Sequence, residues 1–167
     1  MASQLRVDKI IPVDGVPTGG GGGIIQIKHM ELSGSNFTTQ SNSMVDVTNF
    51  NLSITPKFST SKIMVFVNAR VSNTTPDGSQ INKRMGMNLL RGSTVIGGQF
   101  FGAYYAGTSG SDLNNYGNLS IHCLDSPATT SAVTYKIQIN SDSTSSTAGV
   151  TAGGNSSSTI TLMEVSA

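Results

Sequence analysis

The sequence predicts an all-β protein, an antiparallel jelly-roll-like β-sandwich of about eight strands with an extended N-terminal arm. Three observations lead there. Apolar and polar residues alternate with period two in run after run, and no helical period of comparable length occurs. Clusters of Gly, Ser, Thr, Asn, Asp and Pro separate those runs at intervals of roughly 8–15 residues. A hydrophobic content of 37% can fill a core, so the polar bias reads as turn-rich β structure rather than disorder.

Taken in order, residues 1–18 form an attachment arm, with Leu5, Val7, Ile10 and Ile11 on too short a segment to bury those side chains alone. Five consecutive glycines, residues 19–23, follow as a linker, since a glycine run supports no packing of its own. The head domain spans 24–167 and opens with a strand over 24–32. In 44–54 the apolar parity changes from Val45 and Val47 to Phe50, Leu52 and Ile54, which requires a bulge near Thr48 and Asn49. Residues 62–71 form a half-buried strand with Ile63, Val65, Val67, Ala69 and Val71 inward. Thr75-Pro76-Asp77-Gly78 has tight-turn chemistry, and strands follow at 81–90 and 94–105 across an Arg91-Gly92-Ser93 turn. After a loop at 107–112 come a strand at 116–124, a turn at 125–127 and the cleanly alternating Val133, Tyr135, Ile137 and Ile139. The polar stretch 141–158 reads as a long loop before a last strand at 159–165.

The chain has 167 residues, one core's worth, and carries a net charge of +1 with only 11% charged residues. Its ten Lys and Arg are scattered, the densest group being Lys83, Arg84 and Arg91, read as a solvated strand edge, so no basic patch suits nucleic acid. No stretch approaches the ~20 apolar residues of a membrane span, and residues 1–11 carry Arg6, Asp8 and Lys9, unlike an export signal. Cys123 is the only cysteine, so neither an internal disulfide nor a cysteine metal cluster forms within one chain, and it reads as a small buried residue.

Candidate chemistry is sparse. The glycine run comes close to GxGxxG, but Ile24 stands where the last glycine would, and Ile24-Ile25-Gln26-Ile27 reads as a strand where phosphate binding needs a helix. His122, Cys123 and Asp125 contain the residue types of a catalytic triad, but neighbours on a strand point to opposite faces. His122 falls on the outer parity, and a metal could be held there only by several subunits around an axis. The nine acids are dispersed, several in turns where Asp caps backbone. Met64 and Phe66 occupy an otherwise polar face, and Met163 and Val165 oppose Ile160 and Leu162. Either loops cover them or a cyclic oligomer does. Tyr104, Tyr105 and Tyr116 flank a Gly, Ser and Asn loop, a composition suited to receptor contact, with two ordinary strand ends as the plainer reading.

Five segments carry a resemblance: SQLRVDKIIPVDG near the start, ITPKFSTSKIMVFVNARV at 54–71, MNLLRGSTVIGG at 87–98, HCLDSPATTSAVTYKIQI at 122–139 and STITLMEVSA at the end. Together they resemble the small tail-fibre and virion-appendage proteins of tailed bacteriophages. The resemblance implies a jelly-roll head similar to the trimeric tumour-necrosis-factor and complement-type heads, attached to the particle by its N-terminal segment. It implies a non-enzymatic virion component with no cofactor and no metal, made in the host cytoplasm. The implied partners are two further copies of itself, another virion protein bound through residues 1–18, and a host-surface glycan or protein; nucleic acid binding and membrane insertion are not implied. A tail-fibre role in host contact is the leading expectation, capsid decoration the alternative, and a secreted carbohydrate-binding or complement-like module a further one.

Overall fold

A computed structural model describes residues 23–75, 81–105, 113–152 and 157–166. The arm residues Leu5, Val7, Ile10 and Ile11 lie outside the described residues, as does the loop at 107–112. Ten strands are present: β1 (Ile24–Glu31), β2 (Phe37–Thr39), β3 (Val45–Ile54), β4 (Lys62–Thr75), β5 (Ile81–Arg91), β6 (Thr94–Tyr105), β7 (Leu113–Asp125), β8 (Val133–Ser141), β9 (Thr147–Val150) and β10 (Thr159–Val165).

They pair into two antiparallel sheets. In the six-stranded sheet, the long strand β4 is the spine. One of its edges takes β10 along 62–68 and then β9 along 71–74, and the other takes β7 from Ile63 to Thr75. β1 and β2 extend the sheet beyond β10 and β9. The second sheet has the order β3-β8-β5-β6. Every connection between consecutive strands from β3 to β8 crosses between the sheets except the β5–β6 hairpin, which is the winding of a jelly roll. That hairpin turns at Gly92, whose φ of 57° lies in the left-handed region where a Cβ is unfavourable.

The alternation read from sequence is the alternation of burial. Val133, Tyr135, Ile137 and Ile139 of β8 face Ile63, Val65, Val67 and Val71 of β4 through a shared core, with Phe50 and Leu162 also fully enclosed. The irregularity in β3 sits where the parity change required it: pairing with β8 slips between Asp46 and Asn51, and Asn49 has a φ of 60°. Both halves therefore send their apolar residues inward, Val47 from the first and Phe50 and Ile54 from the second.

Three expectations need correction. The stretch 141–158 is not loop throughout, since β9 crosses it and buries Ala148 and Val150. Counting β2 as well, the eight expected strands are joined by two short ones that lengthen the spine's sheet. Arg91 is no solvated edge residue. Its guanidinium donates to both Asp125 oxygens at 2.8 and 3.0 Å, and the Tyr135 hydroxyl donates to the same carboxylate at 2.7 Å. Asp125 ends β7 in one sheet while Arg91 and Tyr135 belong to the other, so this cluster bolts the sheets together at one end. Burial and the adjacent carboxylate push the Tyr135 phenol well above its ordinary range, which keeps it a donor.

Candidate self-association surface

The outer face of the six-stranded sheet is built from the residues that alternate with the core. On β4 the odd positions point inward, leaving Lys62, Met64, Phe66, Asn68 and Arg70 outward. Register then places one outward residue from each neighbour in the same row. Ile27 of β1, Met163 of β10, Met64 of β4 and Leu124 of β7 form one continuous row across four strands. The next row is His29, Thr161, Phe66 and His122, and on the other side Ile24 and Val165 lead to Lys62.

The four residues singled out in sequence, Met64, Phe66, Met163 and Val165, are thus brought into one patch. Met64, Met163 and Val165 are half-buried, while Phe66 is 42% exposed. Sequence reasoning missed Ile24, Ile27 and Leu124, which stand 54%, 53% and 49% exposed in the same patch. Within Ile24-Ile25-Gln26-Ile27 the register shifts between Ile24 and Gln26, so no alternation marks the outward residues. Leu124 shares the outer parity of His122 in the sequence, but only its pairing with Met64 brings it into this patch.

Polar contacts order the surroundings. The Phe66 ring stacks beside His122 with centroids 6.4 Å apart, and His29 Nδ1 lies 2.8 Å from Thr161 Oγ1. Along β4 and β7 the face then turns polar: Ser120 donates to Asn68 Oδ1, and the Arg70 guanidinium sits 5.8 Å from the Tyr116 ring. A shallow depression of about 240 Å³ lies between Arg70, Tyr116, Gly117 and Asn118. Tyr116 is 63% exposed. Tyr104 and Tyr105 end β6 in the other sheet, and their side chains are outside the described residues, so Tyr116 is not shown to share a surface with them.

The chemistry of the surface is that of contact. Cys123 points to the core side, where burial and the nearby Asp125 push its thiol up, away from the thiolate a nucleophile needs. His122 points out and Asp125 is engaged by Arg91 and Tyr135, so the three types that neighbour one another in sequence do not converge. Among the described residues no three His, Cys, Asp or Glu side chains gather where they could hold a metal. No helix of the described residues is long and apolar enough to cross a membrane.

No protein-family model matches the chain, and no curated protein sequence matches it. Solved structures similar to it include infectious bursal disease virus, Gx strain, at 15% identity over 99% of this chain and 42% of that chain with a TM-score of 0.37. The infectious bursal disease virus VP2 subviral particle is similar at 15% identity over 96% and 43%, TM-score 0.35. Dimeric latent PorU from Porphyromonas gingivalis is similar at 11% identity over 89% and 14%, TM-score 0.37. The chain therefore spans less than half the length of each.

Proposed function

We propose that this chain is a structural, non-enzymatic subunit of a bacteriophage virion: a β head that assembles as a homotrimer through the outer face of its six-stranded sheet and is mounted through residues 1–18. The observation that carries the reading is the row Ile27, Met163, Met64 and Leu124, with Phe66 and Val165 beside it, on a face otherwise open to water. Apolar surface left in water forgoes about 25 cal/mol per Å², and a cyclic assembly of identical copies removes that loss by burying the patch against neighbouring subunits. The resemblance of five sequence segments to phage appendage proteins supports the virion and favours a host-contact position on the tail, with Tyr116 as a receptor contact. The arm's Leu5, Val7, Ile10 and Ile11 suit addition to a partner's sheet edge or groove.

Sedimentation of the chain at micromolar concentration tests assembly, with a trimer expected; a stable monomer overturns the interface. Particles grown with a chain lacking residues 1–18 test mounting: the truncated head folds and assembles but is missing from purified virions. Incorporation of the truncation at normal levels would refute docking by the arm. Copy number per particle separates the two placements, a handful favouring the tail and hundreds favouring capsid decoration.

A further inference from the structure

The outer face of the four-stranded sheet carries a feature that neither assembly nor mounting uses. Outward residues of β5 and β6 meet in three successive rows: Arg84 with Gly102, Gly86 with Phe100, and Asn88 with Gly98. Each row joins a glycine to one planar side chain, and beside Gly102 and Gly98 that planar residue occupies the space a side chain would need. A Cβ added at Gly102 would stand 2.6 Å from Arg84 Cγ and one at Gly98 2.8 Å from Asn88 Oδ1; one at Gly86 would stand 2.5 Å from Asn140 Oδ1 and 2.7 Å from Met44 Cε, with Phe100 Cε1 at 3.4 Å. Side chains at Gly102 and Gly98 would displace the Arg84 stem and the Asn88 amide, whereas glycine lets both settle against the sheet, and at Gly86 the phenyl rests in ordinary van der Waals contact. The strand loses stability through those glycines and again through Phe100, which at 72% is the most exposed large apolar residue described. Two costs at one spot point to a ligand.

We infer that this platform binds a neutral saccharide, with a sugar ring stacked on Phe100 and its hydroxyls met by Arg84, Asp142 and Asn88. A pyranose offers C–H groups on its faces and hydroxyls around its rim, which matches an aryl face bordered by planar donors and acceptors. Charge fits as well. The Arg84 guanidinium lies 6.0 Å from the Phe100 ring and its Nε 3.9 Å from an Asp142 carboxylate oxygen, so the local charges offset. A nucleic acid would call for uncompensated cations along its phosphates. Size excludes a second copy of the chain: three rows on two strands extend about 14 Å, well short of the roughly 800 Å² per partner of a stable protein interface. The neighbouring Asn140 is committed to the fold, its Oδ1 accepting from the Gly86 N–H at 3.0 Å.

The full chain is titrated calorimetrically with cellohexaose, maltohexaose and chitohexaose, and separately with an oligothymidylate. Binding of at least one oligosaccharide is expected, weakened about tenfold or more in Phe100→Ala and retained in Phe100→Tyr. Tyr116→Ala, on the opposite sheet, leaves it unchanged, and unaltered melting temperatures show that every variant folds. Failure of all three sugars to bind overturns the inference, as does binding that survives Phe100→Ala. Phe100-dependent capture of the oligothymidylate in place of the sugars overturns it in favour of base stacking. None of these outcomes depends on whether the head is trimeric or sits on a virion.

Discussion

Glu164 is the residue whose placement is least expected from its type. It points inward from β10, fully buried, and accepts from neutral donors, among them Gln26 Nε2 at 2.6 Å and the Lys57 N–H at 2.7 Å. Burial by itself raises the carboxyl, yet the hydrogen bonds from Gln26 and from the backbone of Lys57 and Phe58 outweigh it and hold the group below the usual carboxylate range. The carboxylate thereby pins residues 55–61 against the sheet, since Gln26 also donates to the Thr55 carbonyl. A pKa lowered by folding contributes stability that is complete above the unfolded value near 4.5 and fades as pH falls through the lower folded value. Urea midpoints of the wild type should therefore drop steeply below about pH 4.5, and those of Glu164→Gln should start lower at pH 7 but flatten in acid. Glu164→Ala, which leaves its buried donors unmatched, should cost about 1–3 kcal/mol at neutral pH. The cluster around Asp125 makes a second residue-level case. Asp125→Ala removes the acceptor shared by Arg91 and Tyr135 and should cost about 2–3 kcal/mol, whereas Tyr135→Phe should cost about 1 kcal/mol, both read from denaturant unfolding.

At the scale of elements, β3 shows how a local rule yields a global one. Its slip against β8 lets Val47 and Phe50, on opposite parities, share one core, and the chain absorbs the extra residues at Asn49 with a φ of 60°. Asn49→Val should destabilise by roughly 1–2 kcal/mol because a β-branched residue resists that conformation, and Asn49→Gly should be near neutral; thermal melts distinguish them. The slip was legible because Val45, Val47, Phe50, Leu52 and Ile54 contrast with polar neighbours. The same contrast made the eight longer strands readable. β2 and β9 escaped it: Phe37-Thr38-Thr39 is shorter than two periods, and Thr147-Ala148-Gly149-Val150 buries a small residue and a glycine side by side. Surface features divide likewise. Met64 and Phe66 were visible as apolar residues on a polar face, while Phe100 hid in Phe100-Phe101, where one ring points out and the other packs on the core. The platform beside it depends on pairings between β5 and β6 that strand periodicity does not encode.

For the whole molecule, the two outer faces differ in what they offer: a broad apolar patch on one sheet and a narrow planar platform on the other. In the proposed assembly Phe66→Glu, beside the row of Ile27, Met163, Met64 and Leu124, should weaken self-association by about 2 kcal/mol, roughly thirtyfold, while leaving the melting temperature of the isolated head close to wild type. Sedimentation across a concentration series measures that shift. The last consequence comes from the meeting of Gly23 with Ser166, whose backbone groups bond at 3.0 Å beside a second bond from the Gly23 N–H to Ser166 Oγ. Whatever precedes Gly23 and whatever follows Ser166 must leave from one end of the sandwich, next to Lys62 and Asp125. Thr75 and Leu113, paired with each other, stand at the opposite end. For protein engineering this divides the chain cleanly. A fusion after residue 166 starts beside Gly23, whereas cargo spliced between β4 and β5 or between β6 and β7 starts from the far pole.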